Sequence, residues 1–517
     1  MVSAAPLATI IAFARAGALD HAWCQFRAAG YDRQPDDPAA LAVKGRLLKD
    51  RAVQARGDER RRLYRESAAA YLQSAALRPS TYPLINAATL SLLAGDPERA
   101  VEIAGEVLER VSREPEEPET PYWRAATEAE ALLLVGRFDE ARAKLGEAIA
   151  AAPRAWEDHA STLRQFLLIH EALGRDAVRL EMLRPPRSLF FSGRIGLSEA
   201  AAMEAAEAVA GLIARERIGF GYGALAAGAD IVVAEALLAS GSELHVVLPS
   251  DAESFARHSV DPYGEAWRER FDAALAAAEA VYPVRPLERR PDGAMIELAD
   301  DVAMGMARLN AERLLTEARE LVVGTPRPGR RRPEHLIEIT AESPPASDKS
   351  ADSQTAALHS LVLIRVGSAE DQAHEARLGD VRQALAGTPT AIAPYLDGDD
   401  VIVGYSGVAE AAEAVRQVHT QLAAPGAVGI AAHHGLISTV RDPFSAALRP
   451  TGKGAAILKA IAQAAPPEIV CASLDFAAAL AAGSDGPSGA TWIGELQAFD
   501  GGPAIPLYAL HLSGSDD

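Results

Sequence analysis

Residues 219–241 read GFGYGALAAGADIVVAEALLASG and are followed at once by SELHVVLPS. A glycine-spaced turn that opens an alanine-rich helix and then leads into an apolar strand is typical of a parallel α/β sheet. The free N–H groups at the start of such a helix point at a bound anion. The stretch therefore predicts an α/β domain and raises the question of whether its turn holds a phosphate.

The chain is too long for a single hydrophobic core. Its 517 residues should form roughly three domains of typical size. With 49% hydrophobic and 24% charged residues, its composition is that of a soluble globular protein. Cys24 and Cys471 show no spacing typical of a disulfide framework or a zinc site, so a reducing cytoplasm fits.

Charge and hydropathy argue against two kinds of partner. A formal net charge of -20 repels polyanions, which disfavours nucleic acid. Arg15 and Asp20 interrupt the apolar N-terminal stretch before it could span a bilayer, and no other apolar run is long enough. We therefore expect a cytoplasmic protein that contacts no membrane.

The first third of the chain is helical and repetitive. LAGDPERA at 93–100 recurs as LVGRFDEA at 134–141 and more weakly as ALGRDAV at 172–178. In this pattern glycine ends one helix in a left-handed turn, and a later alanine lets a second helix approach closely. The pattern predicts an all-α helical-repeat domain over residues 1–183, which is either a packing scaffold or a partner-binding groove.

These repeats resemble the tetratricopeptide class. The stretch YPLINAATL at 82–90 is also similar to the TRAF-binding domain of stress-activated MAP kinase kinase kinases, a domain with bacterial relatives. The resemblance implies a protein partner for the helical repeats.

The apolar period changes after Pro186. Short apolar runs at 188–193, 244–249 and 321–324 alternate with helical patterns, which are found at 198–215, 262–280 and 300–318. Strands alternating with helices predict a parallel sheet with a crevice at its carboxyl edge. We predict a Rossmann-like ligand-binding domain over 187–340, followed by a Ser- and Pro-rich linker over 341–356.

Two motifs of this domain resemble the SLOG superfamily over about residues 187–325. They are Ser192-Gly193-Arg194 and GALAAGAD at 223–230, with Ala234-Glu235 behind them. The superfamily includes DNA-processing proteins, the lonely-guy phosphoribohydrolases and many nucleotide sensors. The resemblance implies a nucleotide-derived ligand. The PGGxGTxxE turn of the lonely-guy enzymes is missing, so no catalytic residue is assigned.

The glycines of the opening stretch suggest how a ligand would be held, although such turns also occur without one. Gly219, Gly221 and Gly223 are expected to allow positive φ and to leave space for the ligand, and Gly228 is expected to permit close backbone contact. The candidate binding residues are Ser192, Gly193, Arg194, Gly221, Tyr222, Gly223, Gly228, Ala229, Asp230 and Glu235.

Three charged residues have specific expected roles at this turn. Arg194 would pair with a phosphate, and Asp230 would cap the helix by accepting its free N–H groups. Glu235 is expected to face the solvent or to bind, rather than to catalyse.

Residues 357–513 predict a third domain, of the α+β type. Strand patterns occur at 359–366, 400–405 and 427–438, and a helical pattern occurs at 408–422. Five motifs resemble the conserved hairpin and strands of class III nucleotidyl cyclases. They are GDD at 398–400, GIAAHHG at 429–435, PPEIV at 466–470, GEL at 494–496 and LYAL at 507–510. The resemblance implies a ferredoxin-like sandwich that forms homodimers.

The chemistry of that family is incomplete in this chain. Cyclisation needs two carboxylates that hold two metal ions. The resemblance puts Arg365 in place of the first metal-binding aspartate and keeps only Asp399. An arginine there would repel metal ions and could pair with Asp399, so no metal site is assigned. The family's transition-state and base-selecting positions fall on Ala455, Lys459, Gly452 and Phe499.

Together the patterns predict a regulatory or signalling protein with three modules, which forms a homodimer. Its expected small-molecule partner is a nucleotide or a nucleotide-derived second messenger, and no other cofactor is assigned. The alternative is an enzyme, either a SLOG nucleotide N-glycosidase or a divergent adenylate or guanylate cyclase. Because linkers flank the modules, no shared core is expected between them.

Overall fold

The computed structural model describes most of the chain. The described residues are 6–15, 17–113, 120–176, 178–285, 291–325, 333–338, 356–366, 371–422, 429–466, 469–484, 486, 488–499 and 504–511. The chain forms two compact units, Met1–Pro185 and Pro186–Asp517. Within the described residues, no helix combines the length and apolar character needed to cross a bilayer.

The first unit is built from α-helices. They are α1 (Leu7–Arg15), α2 (Leu19–Ala28), α3 (Pro38–Gln54), α4 (Gly57–Leu77), α5 (Thr81–Leu93), α6 (Pro97–Arg113), α7 (Pro121–Leu134), α8 (Phe138–Ala151) and α9 (Trp156–Ala172). Successive helices pack as hairpins, α3 on α4, α5 on α6 and α7 on α8.

The repeat glycines end helices as predicted. Gly95, Gly136 and Gly174 have φ of 88°, 82° and 62°, in the left-handed region that favours glycine. Ala100 and Ala141 are buried at the start of the second helices. The third repeat differs, because a 3-10 helix at Val178–Leu183 follows Gly174 instead of an α-helix. Pro185 and Pro186 lie just beyond it and disfavour helical backbone before them.

The second unit contains two sheets. The elements of its first part are β1 (Arg187–Gly193), α10 (Glu199–Glu216), β2 (Ile218–Gly223), α11 (Ala229–Ala239), β3 (Glu243–Leu248), α12 (Ala252–Ser259), α13 (Glu265–Ala277), β4 (Ala280–Pro283), α14 (Gly293–Arg313), β5 (Ala318–Val323) and β6 (His335–Ile337). The strand order is β4-β3-β2-β1-β5-β6, and every pairing is parallel. The predicted parallel sheet is therefore present.

The second part of this unit forms a mixed sheet. Its elements are β7 (Ala356–Arg365), α15 (Asp371–Leu385), β8 (Ile392–Asp397), β9 (Asp400–Tyr405), α16 (Val408–Gln421), β10 (Gly429–Arg441), β11 (Leu448–Thr451), α17 (Lys453–Ala464), β12 (Val470–Ser473), α18 (Leu474–Gly483), β13 (Ala490–Leu496) and β14 (Ile505–Leu510). The strand order is β13-β14-β12-β10-β7-β9-β8, and β11 pairs with β10.

The two faces of the parallel sheet are covered by different elements. Leu189 and Phe191 of β1 belong to the core formed with α10, α11 and α13. Ser188 points to the opposite face because side chains alternate along a strand. Its hydroxyl accepts a hydrogen bond from Asn310 Nδ2 of α14 at 3.0 Å. Helix α14 therefore covers the second face.

Helix α14 is longer than the sequence suggests and starts earlier. The predicted helix over 300–318 is found at Gly293–Arg313. Its start is set by Asp292, whose carboxylate accepts the backbone N–H of Met295 at 2.9 Å. Its end is followed by Leu315, which has a left-handed φ of 54°.

The two sheets of the second unit share packed surface, so the expectation of no shared core is wrong for this pair. Helix α14 packs on β1, β2 and β3 and also on α18, β7 and β10 of the mixed sheet. A Cβ on Gly305 of α14 would lie 1.9 Å from the carbonyl oxygen of Ala478 in α18. Only glycine permits this approach. A parallel sheet needs both faces covered, and the helix that covers its second face, α14, also packs against α18 of the mixed sheet.

Polar contacts cross the same surface. Tyr282 of β4 donates its hydroxyl to Asp475 Oδ1 of α18 at 2.8 Å. Burial raises the pKa of Asp475 to about 7, and the bond from Tyr282 opposes the rise. The folded state therefore favours the protonated carboxyl.

We predict a pH dependence that the isosteric neutral variant Asp475→Asn removes. The pKa is raised from 3.8 to about 7, so the stability linked to this carboxyl is complete below pH 4 and is lost as the pH rises through 7. The wild type should lose roughly 2 to 3 kcal/mol relative to the variant between pH 5 and pH 8. Chemical denaturation across this range measures the difference.

The buried histidines cancel in this comparison because both proteins contain them. If the free energy of unfolding changed with pH equally in the wild type and in Asp475→Asn, Asp475 would not titrate at the contact.

Candidate functional site

The candidate site lies where the strand order of the parallel sheet reverses. The chain runs from β1 outward to β4 on one side and then returns to β5 on the other side of β1. Ligands of open α/β sheets bind in the crevice at this point, beyond the carboxyl ends of the strands. Arg194 follows β1 there, and Gly324 and Thr325 follow β5.

The loop after β1 is joined to the start of α11 by backbone contacts. Ala229 N–H donates to the carbonyl of Arg194 at 3.0 Å, and Gly196 N–H donates to the carbonyl of Ala227 at 2.8 Å. Gly228 has a φ of 117°, and a Cβ there would lie 2.7 Å from the Arg194 carbonyl oxygen. The expected close backbone contact at Gly228 is present, and its partner is the protein's own loop.

A cavity of about 450 Å³ opens at this edge. Its size is within the range of small-molecule sites. Its walls come from the loops after β1, β2, β3 and β5, from α11 and α12, and from the first half of α14. The lining residues are Phe191, Ser192, Gly193, Arg194, Ile195, Ala224, Ala226, Asp230, Pro249, Phe255, Ser259, Ile296, Ala299, Asp300 and Thr325.

The cavity combines one cation with two carboxylates. Arg194 is half-buried, and Asp230 and Asp300 are only 7% and 8% exposed. A guanidinium suits a phosphate, and a carboxylate can accept hydrogen bonds from sugar hydroxyls. The lining is otherwise mostly apolar, as expected of a site that encloses a small organic molecule.

Asp230 does not cap its helix as predicted. Its Oδ2 accepts the backbone N–H of Ala226 at 3.2 Å, and the N-cap residue of α11 is Gly228. Asp230 lies in the first turn of the helix, two positions after the N-cap residue, which is too late for a capping geometry. Its carboxylate thus holds the preceding loop against the helix.

The glycines of β2 do not have the predicted role. Gly219, Gly221 and Gly223 lie within or beside extended backbone, and none has a positive φ. A Cβ would lie 2.2 Å from Leu237 Cδ1 at Gly221 and 2.6 Å from the Phe191 carbonyl oxygen at Gly223. A Cβ at Gly219 would lie 2.4 Å from Pro186 Cβ. These glycines allow close packing of the sheet.

The predicted binding residues are only partly brought together. Ser192, Gly193, Arg194 and Asp230 line the cavity, and Gly228 and Ala229 form the helix start behind it. Gly221, Tyr222 and Gly223 lie in β2 outside the lining, where the Tyr222 ring stacks on His245 at 4.6 Å.

Glu235 also lies outside the cavity lining. Its carboxylate accepts two hydrogen bonds from Arg270 of α13, at 2.7 and 2.6 Å. Because this bidentate pair joins α11 to α13, it gives Glu235 a packing role in the structure.

Sequence reasoning missed the contribution of α14 to the cavity. Ile296, Ala299 and Asp300 come from a helix about seventy residues beyond the glycine turn. The only sequence signal is an acidic pair, Asp300 and Asp301, inside an apolar helical pattern. That signal does not distinguish a cavity from a solvated face.

The mixed sheet carries the positions aligned with a nucleotidyl cyclase site. Arg365 Nε lies 3.4 Å from Asp400 Oδ1, and its Nη1 donates to the carbonyl of Ala462 at 2.9 Å. The expected pairing of Arg365 with Asp399 is therefore wrong. Asp400 is directly opposite Arg365 across β7 and β9, where side chains meet, whereas Asp399 is exposed in the turn after Gly398.

Other aligned positions of this sheet have contacts of their own. Lys459 forms an ion pair with Asp397. His433 Nδ1 contacts Ser473 Oγ at 2.9 Å, and His434 Nδ1 contacts Ser360 Oγ at 2.8 Å. Burial lowers the pKa of His433 to about 3 and of His434 to about 4, so both are neutral at pH 7.

Residues 467 and 468 of the PPEIV motif lie outside the described part of the chain. In that described part, no group of three or more His, Cys, Asp or Glu side chains is placed to hold a metal ion.

In the helical unit, polar side chains form hydrogen bonds between helices. Lys49 Nζ donates to Gln165 Oε1 at 3.2 Å, and Thr89 Oγ1 donates to Glu130 Oε1 at 2.6 Å. Burial lowers the pKa of Lys49, and the Glu130 charge opposes this change. These contacts join α3 to α9 and α5 to α7.

Comparison with known proteins gives one family match. Residues 7–91 match the family described as Tetratricopeptide Repeats-Sensor. The match covers α1 to most of α5 and ends before the glycine turns at 95, 136 and 174. No curated protein matches the chain.

Several solved structures share low similarity with this chain. An adenylate cyclase from Trypanosoma brucei is 13% identical over 32% of this chain and 93% of its own, with a TM-score of 0.28. An adenylyl cyclase from P. aeruginosa is 13% identical over 31% of this chain and 96% of its own, with a TM-score of 0.24. Similarity this low carries no conclusion about activity.

Proposed function

We propose that this chain is a regulatory protein that binds a nucleotide-derived ligand in the cavity at the carboxyl edge of its parallel sheet. The observation that carries the proposal is the convergence of Arg194, the start of α11 and a cavity of about 450 Å³ at the point where the strand order reverses. The SLOG-like motif Ser192-Gly193-Arg194 supports the same assignment.

Each part of such a ligand has a matching group in the cavity. A phosphate would lie against Arg194 and the positive end of the α11 dipole. A ribose would donate its hydroxyls to Asp300 or Asp230, and a base would contact Phe191, Phe255 and Ile296. With two carboxylates and one guanidinium in the lining, the cavity favours a monophosphate over a triphosphate.

The other modules complete the proposed function. The helical repeats bind a protein partner, in line with the tetratricopeptide match over residues 7–91. The cyclase-like domain serves for homodimerisation or sensing. Phe444, at the tip of the β10–β11 hairpin, is 98% exposed, and the same hairpin also exposes Val440 and Leu448. This group of exposed apolar side chains on one hairpin supports an interface, because apolar patches mark interaction surfaces.

A second candidate function is hydrolysis of the N-glycosidic bond. Its support is the pair of buried carboxylates, Asp230 and Asp300, in one cavity. In that reaction water replaces the base at C1′ of the ribose, and a carboxyl group can deliver the proton to the departing nitrogen.

The ligand proposal predicts an arginine-dependent thermal shift. AMP should raise the melting temperature of the wild type by mass action. Arg194→Ala should weaken its binding roughly 10- to 150-fold, because it removes charge-assisted hydrogen bonds. Arg257→Ala, which removes the same charge from an exposed position on α12, is the matched control. Gly223 is unsuitable for this test because a side chain there collides with β1.

Three outcomes are distinguishable in this experiment. No shift with AMP, ADP, cyclic AMP or their guanine counterparts, or equal shifts in both variants, would refute the ligand proposal. If the wild type released free adenine from AMP and Asp300→Asn did not, the protein would be a glycosidase and not a ligand sensor.

The cyclase-like domain is predicted to be inactive. With ATP or GTP and either magnesium or manganese, the protein should form no cyclic nucleotide, because the family resemblance aligns Arg365 with a metal-binding aspartate and Arg365 pairs with Asp400. Chromatographic detection of product checks this prediction. Turnover that disappears in Asp399→Ala would show a working cyclase.

A further inference from the structure

Helix α14 lines the cavity and also contacts α18 of the mixed sheet. Its first half supplies Ile296, Ala299 and Asp300 to the cavity. Its second half carries Gly305, Arg308 and Glu312, which contact α18 and the loop after it. From Asp300 to Arg308 the distance along the helix axis is about 12 Å. The cavity and the cyclase-like domain are therefore joined by two turns of one helix.

The contact with α18 is polar, specific and close. Arg308 Nη1 donates to the carbonyls of Ala481, Ala482 and Ser484, at 2.8, 3.0 and 2.5 Å. These carbonyls are at the C-terminal end of α18, where a helix leaves acceptors unsatisfied and favours a positive charge. Arg308 thus caps a helix of the other sheet.

A second side chain of α14 holds the segment beyond α18. Glu312 accepts the Ser488 backbone N–H at 2.8 Å and the Ser488 hydroxyl at 2.7 Å. Together with Gly305 against Ala478, these contacts run from the middle of α18 to Ser488, in the segment before β13.

Helix α14 is buried on both sides along this length. Val302, Ala303, Ala307 and Ala311 are buried, and the helix packs on both sheets. Protein interiors are close-packed and transmit displacement instead of absorbing it. A shift of α14 at the cavity must therefore be accommodated at α18.

The other end of α18 is tied to the centre of the mixed sheet. Ser473 Oγ accepts the Phe476 backbone N–H at 3.3 Å and contacts His433 Nδ1 of β10 at 2.9 Å. Strand β10 continues into the hairpin that carries Phe444. A change in α18 thus has a direct structural connection to the exposed edge of the cyclase-like domain.

We propose that α14 couples occupancy of the cavity to the cyclase-like domain by shifting its contact with α18. The proposal rests on the proposed function, because it gives the ligand site its output. It requires that the ligand bind differently to the two positions of α14, since only differential affinity moves an equilibrium.

The test measures hydrogen–deuterium exchange of α18 in the full chain without any ligand. Asp300→Asn and Ile296→Ala alter the cavity end of α14. Both should change exchange at residues 474–484 by roughly 2- to 30-fold, the size of a typical coupling effect. Glu297→Ala is the control on the same helix, since Glu297 is exposed and lies outside the cavity lining. It should leave α18 unchanged.

Two further measurements separate coupling from general loosening. Residues 199–216 of α10, on the opposite face of the parallel sheet, should exchange at wild-type rates in the cavity variants. Arg308→Ala removes the cap on α18, so adding Asp300→Asn to it should produce little further change there. Coupling is overturned if both cavity variants leave α18 at wild-type rates, or if α10 changes as much as α18.

Addition of AMP to the wild type distinguishes failure of this proposal from failure of the ligand proposal. If AMP gives no thermal shift but the cavity variants alter α18, α14 couples the two places and the ligand is not AMP. If AMP binds in an Arg194-dependent way and neither AMP nor the variants alter α18, the ligand site stands and the coupling is wrong.

Discussion

The absence of a side chain at Gly305 is the constraint on which the second unit depends. A Cβ at this position would lie 1.9 Å from the Ala478 carbonyl oxygen, so α14 and α18 can approach only through glycine. Glycine in a helix interior costs about 0.5 to 1 kcal/mol relative to alanine. In return, α14 and α18 pack closely against each other.

Because α14 and α18 meet closely, the parallel sheet and the mixed sheet are not independent domains. The parallel sheet has α10, α11 and α13 on one face, whereas the other face is covered by α14, which also packs against α18 of the mixed sheet. The cavity uses α14 as one wall. The candidate ligand site is therefore built on the same helix that packs against the mixed sheet, and both sheets belong to one compact unit.

The sequence predicted local features well and their partners poorly. The strands ending at Gly193 and Val323 and the turns at Gly95 and Gly136 follow from patterns within a few residues. The glycines of β2 show the limit, because glycine signals that space is needed but not what fills it. At Gly221 the neighbour is Leu237 of α11, and a Cβ would lie 2.2 Å from its Cδ1, which leaves no space for a ligand between them. Burial of Gly221 depends on packing that no local pattern records.

The sequence patterns did not predict the contacts between residues far apart in the chain. Arg308 and the carbonyls at the end of α18 are more than 170 residues apart in the sequence. Asp300 lies about seventy residues beyond the glycine turn. The sequence also predicts a charged partner for Arg365 of β7. Its partner was wrong because the register of β7 and β9 places Asp400, and not Asp399, opposite it.

The close approach of α14 to α18 is tested most directly by comparing the stability of Gly305→Ala with that of Gly211→Ala. Gly211 lies in α10, and no atom beyond its own helix lies within 4 Å of a Cβ built there. Chemical denaturation should show Gly211→Ala stabilised by about 0.5 to 1 kcal/mol. Gly305→Ala should instead lose roughly 1 to 3 kcal/mol, because α14 is forced away from α18. Equal stabilisation of both variants would show that the two helices do not meet at Gly305.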